Sequence, residues 1–253
     1  MKRVIKPFIP KTIRKVLWGI NYTLEDKRNS KRTVREVFTE IYMKGKWGGQ
    51  SGEFHSGEGS STESVIQPYV RKIIEYFQLY APNKPRLVDL GCGDFKVGRN
   101  FVEHCSEYIC VDIVSDLIQK LKAANYSYNV KFLCLDIVDD DLPDGDICFL
   151  RQVLQHLSNE QIIKILQKLK KYKTIFITEH YPTDNPQIVP NRDKVHGARV
   201  RVYNNSGVYL DKTPFNIPTK ALKLFLEVPG VGLSGDYDPG VIRTYKLEFG
   251  KDN

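Results

Sequence analysis

The chain has 253 residues, 41% of them hydrophobic, which supplies one sizeable core and excludes a disordered chain. No run of eighteen apolar residues occurs, so the sequence predicts no membrane-spanning helix. The five cysteines form no Cys-x-x-Cys pair, and we expect buried reduced thiols in place of disulfides or a zinc site.

The net charge of +8 is concentrated near the amino terminus. Residues 1–46 contain 13 Lys or Arg and 4 Asp or Glu, whereas residues 47–253 contain 25 and 26. Apolar side chains from Val4 to Trp18 lie among the cations, so we predict a basic helical arm over residues 1–46. Such an arm suits an anionic membrane surface, a partner enzyme or nucleic acid, or it packs on its own domain with a solvated basic face. It lacks a continuous apolar segment with a cleavage site, so we expect a cytoplasmic protein.

Residues 47–63 combine an indole with glycines and serines and are predicted to form a lid. Trp47 brings a large apolar face, and the glycines let the backbone approach a ligand closely. We place Trp47 and Ser60 among the cofactor-binding residues. The apolar positions that follow recur at helical spacing, so a helix is expected before the sheet.

The stretch RLVDLGCGDF, residues 86–95, reads as a buried strand that stops in a glycine turn. Such a turn is a usual seat for a nucleotide-like ligand. The third glycine of a dinucleotide fingerprint and the lysine of a phosphate-binding loop are both missing, and Asp89 and Asp94 would repel a triphosphate. These two carboxylates favour a positively charged ligand instead. S-adenosylmethionine carries a sulfonium, an ammonium and two ribose hydroxyls.

Two further apolar runs, YICVDI and VKFLCLDI, also end in acids, Asp112 and Asp136. Asp112 follows Gly91 by 21 residues, near the separation at which a carboxylate meets a ribose. A helix is predicted between these two strands, with Ser115 as its N-cap. Alternation of strands with helices of ten or more residues predicts a parallel sheet.

Together, VDLGCGDF, YICVDI and VKFLCLDI resemble the first three motifs of class I S-adenosylmethionine-dependent methyltransferases. The resemblance implies a Rossmann-like, doubly wound α/β fold with a mostly parallel seven-stranded sheet, and S-adenosylmethionine as cofactor. The implied cofactor residues follow the strand ends: Asp89, Gly91 and Gly93 under the methionine part, Asp112 at the ribose, Asp136 with Ile137 beside the adenine, and Cys92 and Ile113 in the same set.

The fourth predicted strand ends in RQVLQHLS, which resembles a segment that in these enzymes often reads Asp-Val-Leu-x-His-Leu. Arg151 stands where that pattern often has Asp, so we expect it to contact an acidic group of the cofactor or the substrate. His156 orients the acceptor or the cofactor, or it is a turn histidine bonded to backbone. A capping box from Ser158 to Gln161 predicts the next helix.

The fifth predicted strand, TIFITE, is followed by a candidate base for the reaction. An alcohol acceptor needs a base to take its proton, whereas a phosphate or carboxylate acceptor does not. Glu179 and His180 are adjacent there, and adjacent residues of a strand point to opposite faces. We favour His180 as the base, with His156 as competitor. Glu179 is either a third catalytic candidate or a structural carboxylate that bonds loop amides.

After Pro182 the pattern changes to the short runs ARVRVY, VYL, ALKLFLEV and VIRTYKLEF, separated by turn residues. They predict added antiparallel strands. The resemblance implies that two of these runs are the sixth and seventh strands of the sheet and that residues 182–220 are an insertion on the acceptor side. All of them belong to one catalytic domain at residues 47–253.

Two longer stretches, residues 37–70 and SGVYLDKTPFNIP, also resemble a subfamily of bacterial and large-virus methyltransferases associated with surface polysaccharide synthesis. That resemblance implies methyl transfer to an oxygen of a sugar or a sugar-linked group such as phosphoramidate, with a sugar, sugar nucleotide or glycan as acceptor. An RNA or small-molecule methyltransferase and a non-catalytic S-adenosylmethionine-binding module stay open as alternatives.

Three features weigh on these alternatives. The nearly neutral catalytic body disfavours nucleic acid. The segment after the fourth strand lacks the Asn-Pro-Pro-Tyr-like sequence of many nitrogen methyltransferases, which favours oxygen as the target. Asp136 and the acids at 139–141 could gather Mg²⁺, but consecutive acids on a turn are more often solvated, and we predict no metal.

Overall fold

The computed structural model of the chain describes residues 22–49, 53–124, 126–231 and 239–249. Residues 1–21 of the predicted arm and 50–52 of the predicted lid lie outside the described residues. Residues 22–29 are helical. The longer helices that follow are α1 (Val34–Met43), α2 (Glu63–Tyr80), α3 (Ser115–Ala123) and α4 (Asn159–Leu169). The strands are β1 (Arg86–Leu90), β2 (Glu107–Asp112), β3 (Val130–Cys134), β4 (Ile147–Arg151), β5 (Thr174–Tyr181), β6 (Leu222–Pro229) and β7 (Val241–Leu247).

The seven strands form one sheet in the order β3-β2-β1-β4-β5-β7-β6. Strands β1 to β5 pair in parallel, and β7 runs antiparallel to both of its neighbours. The predicted Rossmann-like, mostly parallel seven-stranded sheet is therefore confirmed. The strand order reverses between β1 and β4, and in such sheets the crevice at the carboxyl ends of those strands is where ligands bind.

The central strands read as continuous apolar runs because helices cover both faces of the sheet. In β1, Leu87, Val88 and Leu90 are each 0% exposed, and every residue of β5 is buried. The predicted capping box before α4 is present: Ser158 accepts the amide of Gln161, and the Gln161 side chain returns to the Ser158 amide. The core thus fixes the strand ends from which the site is built.

Helix α1 packs on the sheet domain. It begins after Thr33 with a capping box to Glu36, and its buried residues belong to the main core: Val37, Phe38, Ile41 and Tyr42. This part of the predicted basic arm therefore lies against its own domain. The proposed boundary between arm and domain at residue 46 stays a prediction.

One predicted helix cap is wrong. The N-cap of α3 is Val114 in place of Ser115, and the cap makes no side-chain hydrogen bond. Asp112, at the end of β2, accepts the Val114 amide at 3.0 Å through its Oδ1. The acid that ends the strand therefore satisfies the helix terminus that a serine cap would have served.

Two of the four predicted C-terminal strands are also wrong. Residues 198–203 form no strand and continue into a 3₁₀ turn, because Arg201 turns inward: it is 1% exposed and donates to the carbonyls of Arg192 and Leu157, both at 2.7 Å. Residues 208–210 form no strand because side chains satisfy the backbone there. Asn191 exchanges two hydrogen bonds with the backbone of Tyr209.

Among the described helices, none combines the length and the apolarity that a bilayer crossing needs.

Candidate active site

A cavity of about 530 Å³ lies beyond the carboxyl ends of the central strands. The whole predicted cofactor set contributes to its wall, together with both candidate histidines: Trp47, Ser60, Asp89, Gly91, Cys92, Gly93, Asp112, Ile113, Asp136, Ile137, Arg151, His156 and His180. The structure thus brings these residues together around one space. Glu179 is not part of that wall.

The turn after β1 requires its two glycines. Gly91 has a φ of 78° and Gly93 a φ of 55°, both in the left-handed region. A Cβ atom on Gly91 would lie 2.4 Å from Val153 Cγ2, and one on Gly93 would lie 2.3 Å from Ser56 Oγ. Packing within the protein therefore demands glycine here, in addition to the close ligand approach on which the sequence argument relied.

Asp112 ties this turn to β2. Its Oδ2 accepts the Gly93 amide at 3.1 Å while Oδ1 accepts the Val114 amide, and the residue is 7% exposed. Burial raises the pKa of Asp112, and the amide donors oppose that shift. Because each carboxylate oxygen can accept two hydrogen bonds, the group retains capacity for donors in the cavity.

Asp89 is a second buried carboxyl group, at the base of the turn. The Tyr108 hydroxyl donates to its Oδ2 at 3.0 Å. Burial raises the pKa of Asp89 to about 6, against the opposing effects of the Tyr108 hydrogen bond and the Arg151 charge. A cation in the cavity would favour its ionised form.

Arg151 connects the end of β4 to the predicted lid. Its Nη1 donates to Ser60 Oγ at 3.0 Å and its Nη2 to the Gly59 carbonyl at 2.6 Å, and the guanidinium lies 5.2 Å from the Tyr69 ring centre. Its Nε is buried and has no hydrogen-bond partner among the described residues. An acceptor group of a ligand can supply that partner.

Asp94 is a wall residue that the sequence analysis did not place in the cofactor set. Its Oδ2 is buried without a hydrogen-bond partner among the described residues, and Lys96 Nζ lies 4.0 Å away. Its position directly after the second glycine of the turn and its negative charge, which favours a cationic ligand, were the available signals. The cavity wall thus holds an unpaired donor on Arg151 and an unpaired acceptor on Asp94.

Asp136 closes a turn after β3. Its Oδ1 accepts the Val138 amide at 2.9 Å, and its own amide donates to Asp140 at 2.8 Å. Asp139 faces Lys164 at 3.5 Å. Within the described ranges, no three or more His, Cys, Asp or Glu side chains gather as metal ligands would.

Glu179 has the contacts of a structural carboxylate, one of its two predicted roles, and a catalytic role stays a prediction. It is 0% exposed, and its oxygens accept the amides of Val153, Leu154 and Gln155 at 3.2, 2.8 and 3.1 Å. Burial raises the pKa of Glu179, while the three amide donors favour the ionised form. The side chain therefore holds the turn that follows β4.

His156 is a neutral histidine in an aromatic cluster. Its Nδ1 lies 3.2 Å from the Gly197 carbonyl, its Nε2 lies 3.4 Å from Gln155 Nε2, and its ring centre is 4.9 Å from that of Trp47. Burial and the nearby Lys194 charge lower the pKa of His156 to about 3. Both ring nitrogens have partners, which argues against His156 as the base.

His180 contributes to the cavity wall at the end of β5 and is 4% exposed. Its Nε2 lies 2.5 Å from the Pro239 carbonyl, so Nε2 carries the proton and donates it to that bond. The role of His180 as the base stays a prediction.

The far end of the cavity is aromatic and charged. Trp47 donates from Nε1 to the Ala198 carbonyl at 3.1 Å, and the Arg199 guanidinium lies 4.3 Å from the Tyr22 ring centre. Other wall residues at this end are Glu25, Lys46 and Tyr203. Sequence reasoning missed most of them because they come from residues 22–46 and 199–203, which only the fold brings together.

The sheet order, with a glycine turn after β1 and an acid at the end of β2, defines the class I methyltransferase fold. Residues 87–172 match the family model described as a methyltransferase domain. Residues 87–172 therefore resemble a methyltransferase domain, and the sheet has the Rossmann-like fold of S-adenosylmethionine-dependent methyltransferases.

Solved structures share this fold at low sequence identity. The N-methyltransferase NodS from Bradyrhizobium japonicum WM9, in complex with S-adenosyl-L-homocysteine, is 10% identical with a TM-score of 0.53, over 86% of this chain and 98% of that chain. The 1,6-didemethyltoxoflavin-N1-methyltransferase from Burkholderia thailandensis is 13% identical with a TM-score of 0.55, over 85% and 86%. No curated protein sequence matches the chain.

Proposed function

We propose that this chain transfers a methyl group from S-adenosylmethionine to an oxygen of a sugar or a sugar-linked group, in the synthesis of a surface polysaccharide. The observation that carries the proposal is the single cavity that joins the acid-and-glycine wall after β1 and β2 to an aromatic wall around Trp47. The first wall suits a cationic cofactor. The second suits an acceptor with apolar faces and polar edges.

The unpaired groups of the cofactor wall match S-adenosylmethionine. Asp112 would take the ribose hydroxyls, Arg151 the carboxylate and Asp94 the ammonium, and the orphaned atoms on the last two would then be satisfied. When bound, the cofactor supplies a methyl group on a cationic sulfur. The buried Asp89 adds negative charge on the same side of the cavity.

The acceptor wall supports a sugar nucleotide or a similar acceptor. The aromatic side chains of Trp47, Tyr22 and Tyr203 offer flat apolar surfaces. Lys46 and Arg199 stand beside them, each already facing an acid: Glu25 Oε1 at 2.5 Å and Asp26 Oδ2 at 3.3 Å. Arg199 keeps further N–H groups beyond its contact with Asp26, and a guanidinium has the geometry to bind phosphate.

A hydroxyl acceptor must lose its proton as the new bond forms. We assign that proton to His180, which lines the cavity on the face of β5 opposite to Glu179. In this scheme Glu179 and His156 position the turn after β4 and take no proton.

The chief alternatives are methyl transfer to nitrogen and action on RNA. Two of the structural neighbours are named as N-methyltransferases. At sequence identities of 10% and 13%, they support a shared fold and not a shared acceptor. For RNA, the positive charge lies mainly in residues 1–46, and the remainder of the chain is nearly neutral. Both alternatives are outcomes of the experiment below.

The test is binding followed by transfer. Calorimetry with S-adenosylhomocysteine should show one site per chain, and Asp112→Asn should weaken it. Labelled S-adenosylmethionine is then offered with neutral sugars, sugar phosphates, sugar nucleotides, amines and RNA. The proposal is supported if the labelled methyl group is found on an oxygen of a sugar-containing product. Label in amines or RNA alone, or no cofactor uptake at all, overturns it.

A further inference from the structure

Gln155 lines the cavity and has a buried side-chain oxygen without a hydrogen-bond partner among the described residues. The residue is 2% exposed, and the oxygen is its Oε1. A buried carbonyl oxygen left without a donor costs about 1–3 kcal/mol, and native proteins pair the great majority of such atoms. A group in the cavity is therefore expected to supply the missing donor.

His156 fixes which end of the Gln155 amide is left unpaired. The Gly197 carbonyl accepts from Nδ1–H of His156, so Nε2 holds a lone pair and accepts from the Gln155 NH₂ group 3.4 Å away. With the amide reversed, Gln155 Oε1 would face Nε2, and the imidazole would have to carry two protons. Burial beside Lys194 opposes that charged form. The oxygen, and not the NH₂ group, is the atom left unpaired.

The turn that carries this amide is held under strain. Gln152 has a φ of 56°, which is uncommon for a residue with a side chain, and its amide donates to the Thr178 carbonyl at 2.7 Å. Gln152 also lines the cavity, and its Nε2 is a second buried atom without a partner among the described residues. Strain that the surroundings maintain is concentrated at functional sites. The turn thus offers a ligand one unpaired acceptor and one unpaired donor.

We propose that Gln155 is a specificity-determining residue whose side-chain oxygen accepts a hydrogen bond from an O–H or N–H group of the acceptor, with Gln152 donating to an acceptor oxygen. The inference rests on the proposed function. It narrows the acceptor to a molecule that presents a proton-bearing, uncharged group at this point, such as a sugar diol. A carboxylate or a fully ionised phosphate offers no donor for Gln155.

The kinetic test replaces the amide by a side chain of similar length. In Gln155→Met, KM for the acceptor methylated by the wild-type protein should rise at least tenfold, the size expected for one buried hydrogen bond, with KM for S-adenosylmethionine changed less than twofold. Gln119→Met is the matched control, because Gln119 is an exposed residue of α3 that bonds Ser115. An unchanged acceptor KM in Gln155→Met overturns the proposal.

A second measurement needs no identified acceptor. The side-chain amide signal of Gln155, assigned by its loss in Gln155→Met, is followed by ¹⁵N NMR with and without S-adenosylhomocysteine. Methyl α-D-glucopyranoside should shift it, and sodium acetate at equal concentration should not. The inference is overturned if the Gln155 signal shifts with acetate alone, if it shifts equally with both compounds, or if it shifts with neither. Failure of the proposed function is recognised separately, as absence of cofactor binding and of methyl transfer.

Discussion

Replacing Glu179 by Gln tests whether a buried carboxylate shapes the acceptor side of the site. In the native protein one oxygen, Oε1, accepts the amides of Val153 and Leu154, and Oε2 accepts the amide of Gln155. A glutamine keeps one carbonyl oxygen and puts an NH₂ group in place of the other. The Gln155 amide would then face a donor and lose its partner.

Two opposing effects set the magnitude. One lost bond to a charged group is worth about 1.5–3 kcal/mol, and the amide left unpaired adds to this loss. Removing a charge from a 0% exposed position relieves desolvation and offsets part of it. We expect Glu179→Gln to lower the free energy of unfolding by about 2 kcal/mol, measured by urea denaturation at neutral pH.

The control and the refuting result follow from the same contacts. Glu103 is exposed, so Glu103→Gln should change stability by no more than about 0.5 kcal/mol. If Glu179→Gln is as stable as the native protein, burial has outweighed the three amide donors and Glu179 is protonated. A raised native pKa would then make wild-type stability fall as pH rises through that pKa, and the variant would not show this fall.

Three further predictions concern the cofactor wall. Asp112→Asn should weaken S-adenosylhomocysteine binding at least tenfold by calorimetry, because the carboxylate is the expected ribose ligand; equal affinity would remove that role. Since burial raises the pKa of Asp89 to about 6, the native state binds this proton more tightly than the unfolded chain does, and apo stability falls as pH rises from about 4 to about 6. Ionisation should favour the cationic cofactor, so affinity for S-adenosylmethionine rises over about pH 5–7, and Asp89→Asn should flatten that profile. Gly93→Ala should destabilise the protein by about 2 kcal/mol in urea, because its φ of 55° is strained for alanine and the new Cβ would displace Ser56; a smaller loss would show that Ser56 moves aside easily.

The cofactor side of the site could be predicted from the sequence because its signals are local. Each acid or glycine comes at the end of an apolar run, and parallel strands bring such ends to one edge of the sheet. The positions of Asp89, Asp112 and Asp136 at successive strand ends therefore predict that they lie close together. In the structure all three contribute to the same cavity wall.

The acceptor side could not be predicted in the same way because it depends on contacts between distant segments. Alternation of polar and apolar residues at 198–203 reads as a half-buried strand with its arginines in solvent. In the structure Arg201 is the buried member and bonds carbonyl groups of two other segments. The spacing of polar and apolar residues does not reveal that a buried arginine will donate hydrogen bonds to backbone carbonyls of distant segments.

Residues 152–157 are held between two buried side chains, Glu179 and Arg201, and they include a short 3₁₀ helix at Leu154–His156. Glu179, from β5, accepts amide groups of this segment, while Arg201, from the insertion, donates to its last carbonyl, that of Leu157. Each side chain satisfies backbone groups of the complementary kind, and each favours the charged form of the other. These contacts hold the segment in place, and Gln152 and Gln155 line the cavity with one unpaired side-chain atom each. Two buried side chains from distant parts of the sequence therefore help to fix the part of the cavity wall that residues 152–157 form.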